Sequence, residues 1–329
     1  MLGNRMKTLI TSIFDKIRFL LLGIHFRYFS KGKITDESIF YENYGKQQQR
    51  IDGKYIILSK KMVKRSSHHF LVVQDIITKN IFVCKSLFAK DQKYTTEEYI
   101  MKSSIEFEKR RRLIQKNIIE SIDIFMYDGI IYILSPIYSN GDLVKFLRNK
   151  KKLSIDEVES FFIQLLSAIK FLHNNQIFHN NIMLENIFVD DKNQLILSGL
   201  SKLTYSEENC KNFFMNKYRC LKSPYIAPEL YKNPTNKCDG ELLDIWSLGV
   251  VLYILIFGFF PFKEAVDNCY SYSFFIDNRY NDKGLFFRLP YGLRNLLAGM
   301  LEPDPKARIR LSEVIKNEWV SQIQNELIE

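Results

Sequence analysis

His179-Asn180-Asn181-Ile182-Met183-Leu184-Glu185-Asn186 is the stretch that decides how this chain of 329 residues is read. One histidine is followed by two neutral amides. Asn181 has no basic lone pair at neutral pH, and Met183 carries no charge. Thirteen positions beyond Asn186 stands Gly199, which has no side-chain oxygen. Upstream, Tyr55 to Leu87 is strand-like, with Tyr55-Ile-Ile-Leu58, Phe70-Leu-Val-Val73 and Ile81-Phe-Val-Cys84 rich in β-branched and aromatic residues. A charged helix is expected over 97–115, then strand at Ile122–Phe125 and Ile130–Leu134. Beyond Asp142 the chain turns helical. Ser154-Ile-Asp-Glu157 is a capping box opening a helix that runs to His173. Asn186 to Ser201 reads as a hairpin, and long helices dominate to Trp319.

Bulk composition fits one large domain or two small ones. Hydrophobic residues make up 46% and charged residues 26%, so most of the chain should fold. The cysteines (Cys84, Cys210, Cys220, Cys238, Cys269) are odd in number and lack metal-ligand spacing, which argues for a reducing compartment and against a disulfide framework or zinc site. The net charge of +10 is concentrated near the start, where Arg5, Lys7, Lys16, Arg18, Arg27, Lys31 and Lys33 face only Asp15. Residues 6–24 place Leu9, Ile10, Ile13, Phe14, Ile17, Leu20 and Leu21 at helical spacing, an amphipathic basic helix. It reads as an extension packed on the main domain, as a membrane-surface anchor, or as a targeting presequence. No nucleic-acid partner is expected. The longest apolar run, Leu248 to Phe262, is too short to span a bilayer and reads as a buried core helix.

The His179–Asn186 stretch resembles the catalytic loop of protein kinases, which reads His-Arg-Asp-Leu-Lys-Pro-Glu-Asn. Downstream markers hold the register. Ser223-Pro-Tyr-Ile-Ala227-Pro228-Glu229 resembles the end of an activation loop. Asp244-Ile-Trp-Ser-Leu-Gly249 resembles the helix whose Asp ties down the catalytic-loop backbone. Asp304-Pro-Lys-Ala-Arg308 resembles the loop whose Arg pairs with that Glu, so Glu229, Asp244 and Arg308 are fold residues. Arg219-Cys220-Leu-Lys-Ser223 and Gly258-Phe-Phe-Pro-Phe262 look most like the calmodulin-dependent and AMP-activated serine/threonine group. The resemblance implies an α+β, bilobal protein-kinase-like fold: a small antiparallel sheet with one helix, then a larger, mostly helical lobe. Its expected layout is an extension at 1–30, a polar linker at 31–52, lobes at 53–137 and 138–320, and a short tail at 321–329.

The chemistry implied by the resemblance is largely missing. The proton-accepting Asp is Asn181, the phosphate-steadying Lys is Met183, and the magnesium-chelating Asp is Gly199, so no metal is expected to bind. The three phosphate-loop glycines fall on Val63, Arg65 and His68. Lys85, Glu106 and Asn186 remain as remnants of an ATP site, Glu106 (or Glu108 in another register) bracing Lys85 from the helix. Arg110 then falls at an apolar spine position. Phe70, Val83 and Phe188 stand where adenine would be sandwiched, and Ser135 at the gatekeeper position. Asn180 replaces the Arg that clamps an activation-loop phosphate, Tyr218 the phosphorylated Thr, and Lys222 the Thr that contacts the catalytic Lys.

ATP affinity is accordingly expected to be weak or absent. The leading reading is a pseudokinase, a catalytically impaired kinase-like scaffold or allosteric partner in the cytoplasm. Its partners would be proteins, an active kinase or its substrate among them. The alternatives are a weakly active ATP-dependent serine/threonine kinase and a membrane-associated adaptor acting through residues 1–30. With about ten residues left after Trp319, an interaction surface is expected on the lobes, on the N-terminal extension, or on the apolar cluster Phe213-Phe214-Met215.

Overall fold

The computed structural model describes residues 50–51, 53–62, 69–86, 96–200, 203–204, 223–232, 238–279 and 284–326. The expected helix at 6–24, the positions Val63, Arg65 and His68, and the segment holding Phe213–Met215, Tyr218 and Lys222 lie outside them. The chain forms two compact units that meet in sequence between Ser139 and Asn140.

In the first unit the β-branched runs make strands: β1 (Arg50–Ile51), β2 (Tyr55–Met62), β3 (His69–Asp75), β4 (Ile81–Ser86), β5 (Asp123–Tyr127) and β6 (Ile130–Pro136). They form one antiparallel sheet in the order β1-β2-β3-β4-β6-β5. Alternation sorts the side chains. Tyr55, Leu71, Val73, Cys84, Tyr132 and Leu134 pack into one core with Phe125. The residues between them, Phe70, Val72, Val83 and Lys85, lie on the opposite face, with Phe70 paired to Lys85, Val72 to Val83 and Val83 to Ser135. Helix α1 (Thr96–Arg111) buries Tyr99, Ser103 and Phe107, the last against Ile133. It ends short of the expected residue 115, its last turn closing with Leu113 N–H on Arg110 O at 3.0 Å.

The second unit is mostly helical. Asp142 caps α2 (Leu143–Lys150) by accepting from Lys145 N. The Ser154/Glu157 capping box is present at the start of α3 (Ile155–Asn174). Both members satisfy amide groups that would otherwise lack partners, worth about 1 kcal/mol per cap. Helix α3 buries Val158, Phe161, Phe162, Leu165, Ile169 and Leu172, and Phe162 packs on Trp319. Strands β7 (Ile187–Val189) and β8 (Leu195–Leu197) make the expected hairpin. Short helix α4 (Pro228–Lys232) precedes α5 (Gly240–Phe257), which is apolar on every side. By length and composition α5 would suit a membrane, but it is buried within the protein, the mark of a core helix. The run expected to stay helical to Phe262 ends at Phe257, because Gly258 takes the left-handed conformation (φ 79°) and returns its N–H to Ile254 O. Helices α6 (Tyr270–Asn278), α7 (Tyr291–Met300), α8 (Leu311–Lys316) and α9 (Glu318–Glu326) complete the unit.

Candidate functional site

Asp244, on the second turn of α5, has no exposed surface and uses both carboxylate oxygens. Oδ1 accepts from Asn180 N at 2.7 Å. Oδ2 accepts from His179 N at 2.8 Å and from His173 Nε2 at 2.9 Å. A buried carboxylate is tolerated only when donors replace its water, and here three do so. His173 closes α3, so one carboxylate ties two helices to the loop between them.

The His179 ring carries the restraint onward. Its Nε2 faces Ser198 O at 2.8 Å, and its Nδ1 faces Asn181 N at 3.2 Å. The carbonyl can only accept and the amide can only donate, so the imidazole is neutral and protonated at Nε2. Asn180 adopts φ 55°, a conformation asparagine tolerates better than most residues. Its Nδ2 donates to Thr204 Oγ1 at 2.8 Å, beside paired backbone bonds between Phe178 and Thr204. Asn180 therefore fastens the loop to the strand-like start of the next segment, a role its position as a phosphate-clamp replacement did not suggest.

Asn186 faces inward on the same loop. Its Nδ2 donates to Asn181 O at 2.8 Å, and its carbonyl accepts from both Ser198 N (2.7 Å) and Ser198 Oγ (2.9 Å). Gly199 follows with φ 84°. A Cβ at that position would lie 2.8 Å from both Cγ and Nδ2 of Asn186, and 3.0 Å from Asn181 Nδ2. The two amides thus occupy the space a side chain at 199 would need. Met183 is half-buried and accepts from Asn186 N through its carbonyl. Among the described residues, no group of three or more His, Cys, Asp or Glu is placed to hold a metal ion. Burial pushes the Tyr225 phenol well above its ordinary value, so the hydroxyl facing Leu184 N at 3.4 Å stays neutral.

The second structural pair is made as expected. Arg308 grips Glu229 with two bonds of 2.7 and 2.8 Å, donates to Leu242 O and Glu302 O, and stacks on the Trp246 ring. Such forked geometry is the strongest form of ion pair.

In the first unit the Lys85 ammonium lies 5.9 Å from the Phe70 ring centroid. Phe70, Val83 and Lys85 share the sheet face that Ser135 also occupies. Glu106, expected to brace Lys85, is instead joined to Arg110 at 2.9 Å within α1. Residues four apart on a helix are neighbours, so this partner needs no approach from another element. Glu108, the alternative register, lies 3.6 Å from Arg111. The Glu-to-Arg spacing was readable in the sequence, and it also explains how an arginine occupies an apolar position.

A carboxylate that clamps a catalytic-loop backbone, a buried Glu–Arg pair and a six-stranded sheet ahead of a helical lobe define the protein kinase fold. The family profile described as protein kinase domain matches residues 47–320, and the chain belongs to that family. It is 32% identical over 241 residues to the cell cycle serine/threonine-protein kinase CDC5/MSD2 of Saccharomyces cerevisiae, covering 67% of this chain and 32% of that one. It is 32% identical over 216 residues to CBL-interacting serine/threonine-protein kinase 16 of Arabidopsis thaliana, covering 64% and 45%. It is 28% identical over 289 residues to the hormonally up-regulated neu tumor-associated kinase of Mus musculus, covering 84% and 38%. These matches span less than half the length of each relative.

Proposed function

We propose that this protein is a catalytically impaired serine/threonine kinase-like protein, acting by binding partners rather than by phosphoryl transfer. The observation that carries the reading is the cluster of Asn181, Asn186 and Gly199. A hydroxyl nucleophile meets an amide at 181, which cannot take its proton at neutral pH. Magnesium wants hard, preferably charged oxygen donors in near-octahedral array, and neither Gly199 nor a hydrogen-bonded amide supplies them. These residues do not fit the metal. Loss of base, metal ligand and phosphate-steadying Lys should compound, because catalysis in this family is positioning plus electrostatic stabilisation. ATP binding is weak or absent on this reading, and proteins of the cytoplasm are the partners.

Thermal denaturation with ATP, alone and with Mg²⁺ or Mn²⁺, tests it. A ligand at one hundred times its Kd would add about 2.7 kcal/mol of stability, readily seen as a shift in Tm. No metal-dependent shift is expected. A clear one that disappears in Lys85→Ala would sink the proposal.

A second reading, a weakly active ATP-dependent serine/threonine kinase, is favoured by the complete Asp244 and Glu229–Arg308 framework and by relatives named as kinases. Transfer of labelled phosphate to a generic substrate, abolished by Lys85→Ala, would establish it.

A further inference from the structure

Gly240 opens α5 without a side chain, and the Phe178 ring closes onto it: a Cβ at 240 would lie 2.6 Å from two atoms of that ring. The ring also meets the His173 imidazole edge-on, with centroids 5.3 Å apart. Two residues on, Asp244 takes the Asn180 amide at 2.7 Å. The run Phe178-His179-Asn180 is therefore fixed by α3 and α5 from within the helical unit.

Onto this fixed run the chain returns at Thr204. Phe178 N donates to Thr204 O at 2.9 Å, Thr204 N donates to Phe178 O at 3.0 Å, and Asn180 Nδ2 donates to Thr204 Oγ1 at 2.8 Å. Asn180 and Thr204 are 7% and 3% exposed, so the side-chain bond is shielded from water. A single antiparallel pair such as Phe178 with Thr204 is marginal by itself in water. The amide–hydroxyl bond changes that, because breaking it costs two buried groups a partner. In the family, position 180 carries an Arg that clamps a phosphate. An amide offers a phosphate no ion pair, whereas a neutral hydroxyl suits it as an acceptor. The substitution that removes the clamp thus supplies a bond inside the protein.

We propose that Asn180 and Thr204 form a phosphate-free latch, a regulatory device in which the entry to the segment after Thr204 is pinned by the fold itself and phosphorylation does not control it. The left-handed backbone at Asn180 (φ 55°) is part of the device, since it turns the amide toward Thr204 while the main chain stays on Asp244. The latch serves a binding protein and a weakly active kinase alike, so its fate is independent of the function proposed above.

The test uses the full chain, shown by mass to carry no phosphate, and reads hydrogen exchange at single amides. In this phosphate-free protein the Thr204 amide should be protected to within about tenfold of the Leu195 amide, which lies on Gln164 Oε1 in the same unit. Thr204→Val keeps the side-chain shape and removes the hydroxyl, and should speed exchange at position 204 by about tenfold. Asn180→Gly, which accepts φ 55° and lacks the amide, should do the same. Thr204→Ser retains the hydroxyl and should stay within about twofold of the parent chain. Exchange at Leu195 should not change in any variant, which separates a local latch from a general loss of stability. Free exchange of Thr204 in the phosphate-free chain overturns the proposal, as does an unchanged rate in Thr204→Val. Equal acceleration at Leu195 also overturns it, by making the bond a structural one only. Thr204→Ser as fast as Thr204→Val would show that the hydroxyl is not what holds the segment, with the same consequence.

Discussion

Asp244 and the cluster of Asn181, Asn186 and Gly199 lie on the two sides of one loop, and they differ in what their side chains address. Asp244 holds backbone amides of the loop, and its partners would be stranded without it. The amide cluster stands where the family meets nucleotide and metal; there Asn181 and Gly199 stand at the positions of the family's two Asp residues, and the retained Asn186 donates to the Asn181 carbonyl. The difference teaches that holding a catalytic loop in shape and doing chemistry on it are separable tasks.

The sharpest way to break this contrast is Asp244→Ala. It strands two backbone N–H groups and the His173 ring in a buried setting, at about 1–3 kcal/mol each. A loss of about 3–5 kcal/mol in denaturant unfolding is expected. A cost below about 1 kcal/mol would mean that the loop keeps its shape by other means.

Arg308→Met comes next. The single change leaves Glu229 charged and partly buried, at a cost of about 3–5 kcal/mol, whereas Arg308→Met combined with Glu229→Leu should recover much of it. Failure of the double variant to recover would shift the weight from the ion pair to the Leu242 and Glu302 carbonyl bonds.

On the other side of the loop, Gly199→Asp should cost about 1–3 kcal/mol, since a non-glycine residue at φ 84° is strained and its Cβ meets the two amides. Adding Asn186→Ala should return part of that loss by removing the nearest atoms. A stable Gly199→Asp single variant would show the amides free to move aside, and the site more open than the contrast requires.

The framework was legible because each of its members is one residue type at one spacing: Asp244 within Asp-Ile-Trp-Ser-Leu-Gly, Glu229 after Ala-Pro, and Arg308 four beyond Asp304. The hairpin after Asn186 and the Ser154 cap were legible for the same reason. Other features depend on conformation rather than identity. Asn180 reaches Thr204, far along the chain, only because its backbone is left-handed, and no local pattern announces that. Glu106 takes Arg110, one turn away on the same helix, as its partner, a contact that local spacing allows and that an expectation of pairing across elements does not reveal. The end of α5 was overrun because hydrophobicity continues through Phe262 while Gly258 already stops the helix.

The smallest expected effect is the one that bears most on function. Asn181→Asp restores the carboxylate that kinases place at this position. It should leave stability within about 0.5 kcal/mol, because the contact Asn181 makes with Asn186 uses its backbone carbonyl. It should also give no phosphate transfer. A base needs a positioned nucleophile and a stabilised leaving phosphate, and Gly199 and Met183 supply neither metal ligand nor cation. Transfer measured for this single variant above the parent chain would show that the two sides of the loop are not separate, and that one amide alone keeps an otherwise competent site silent.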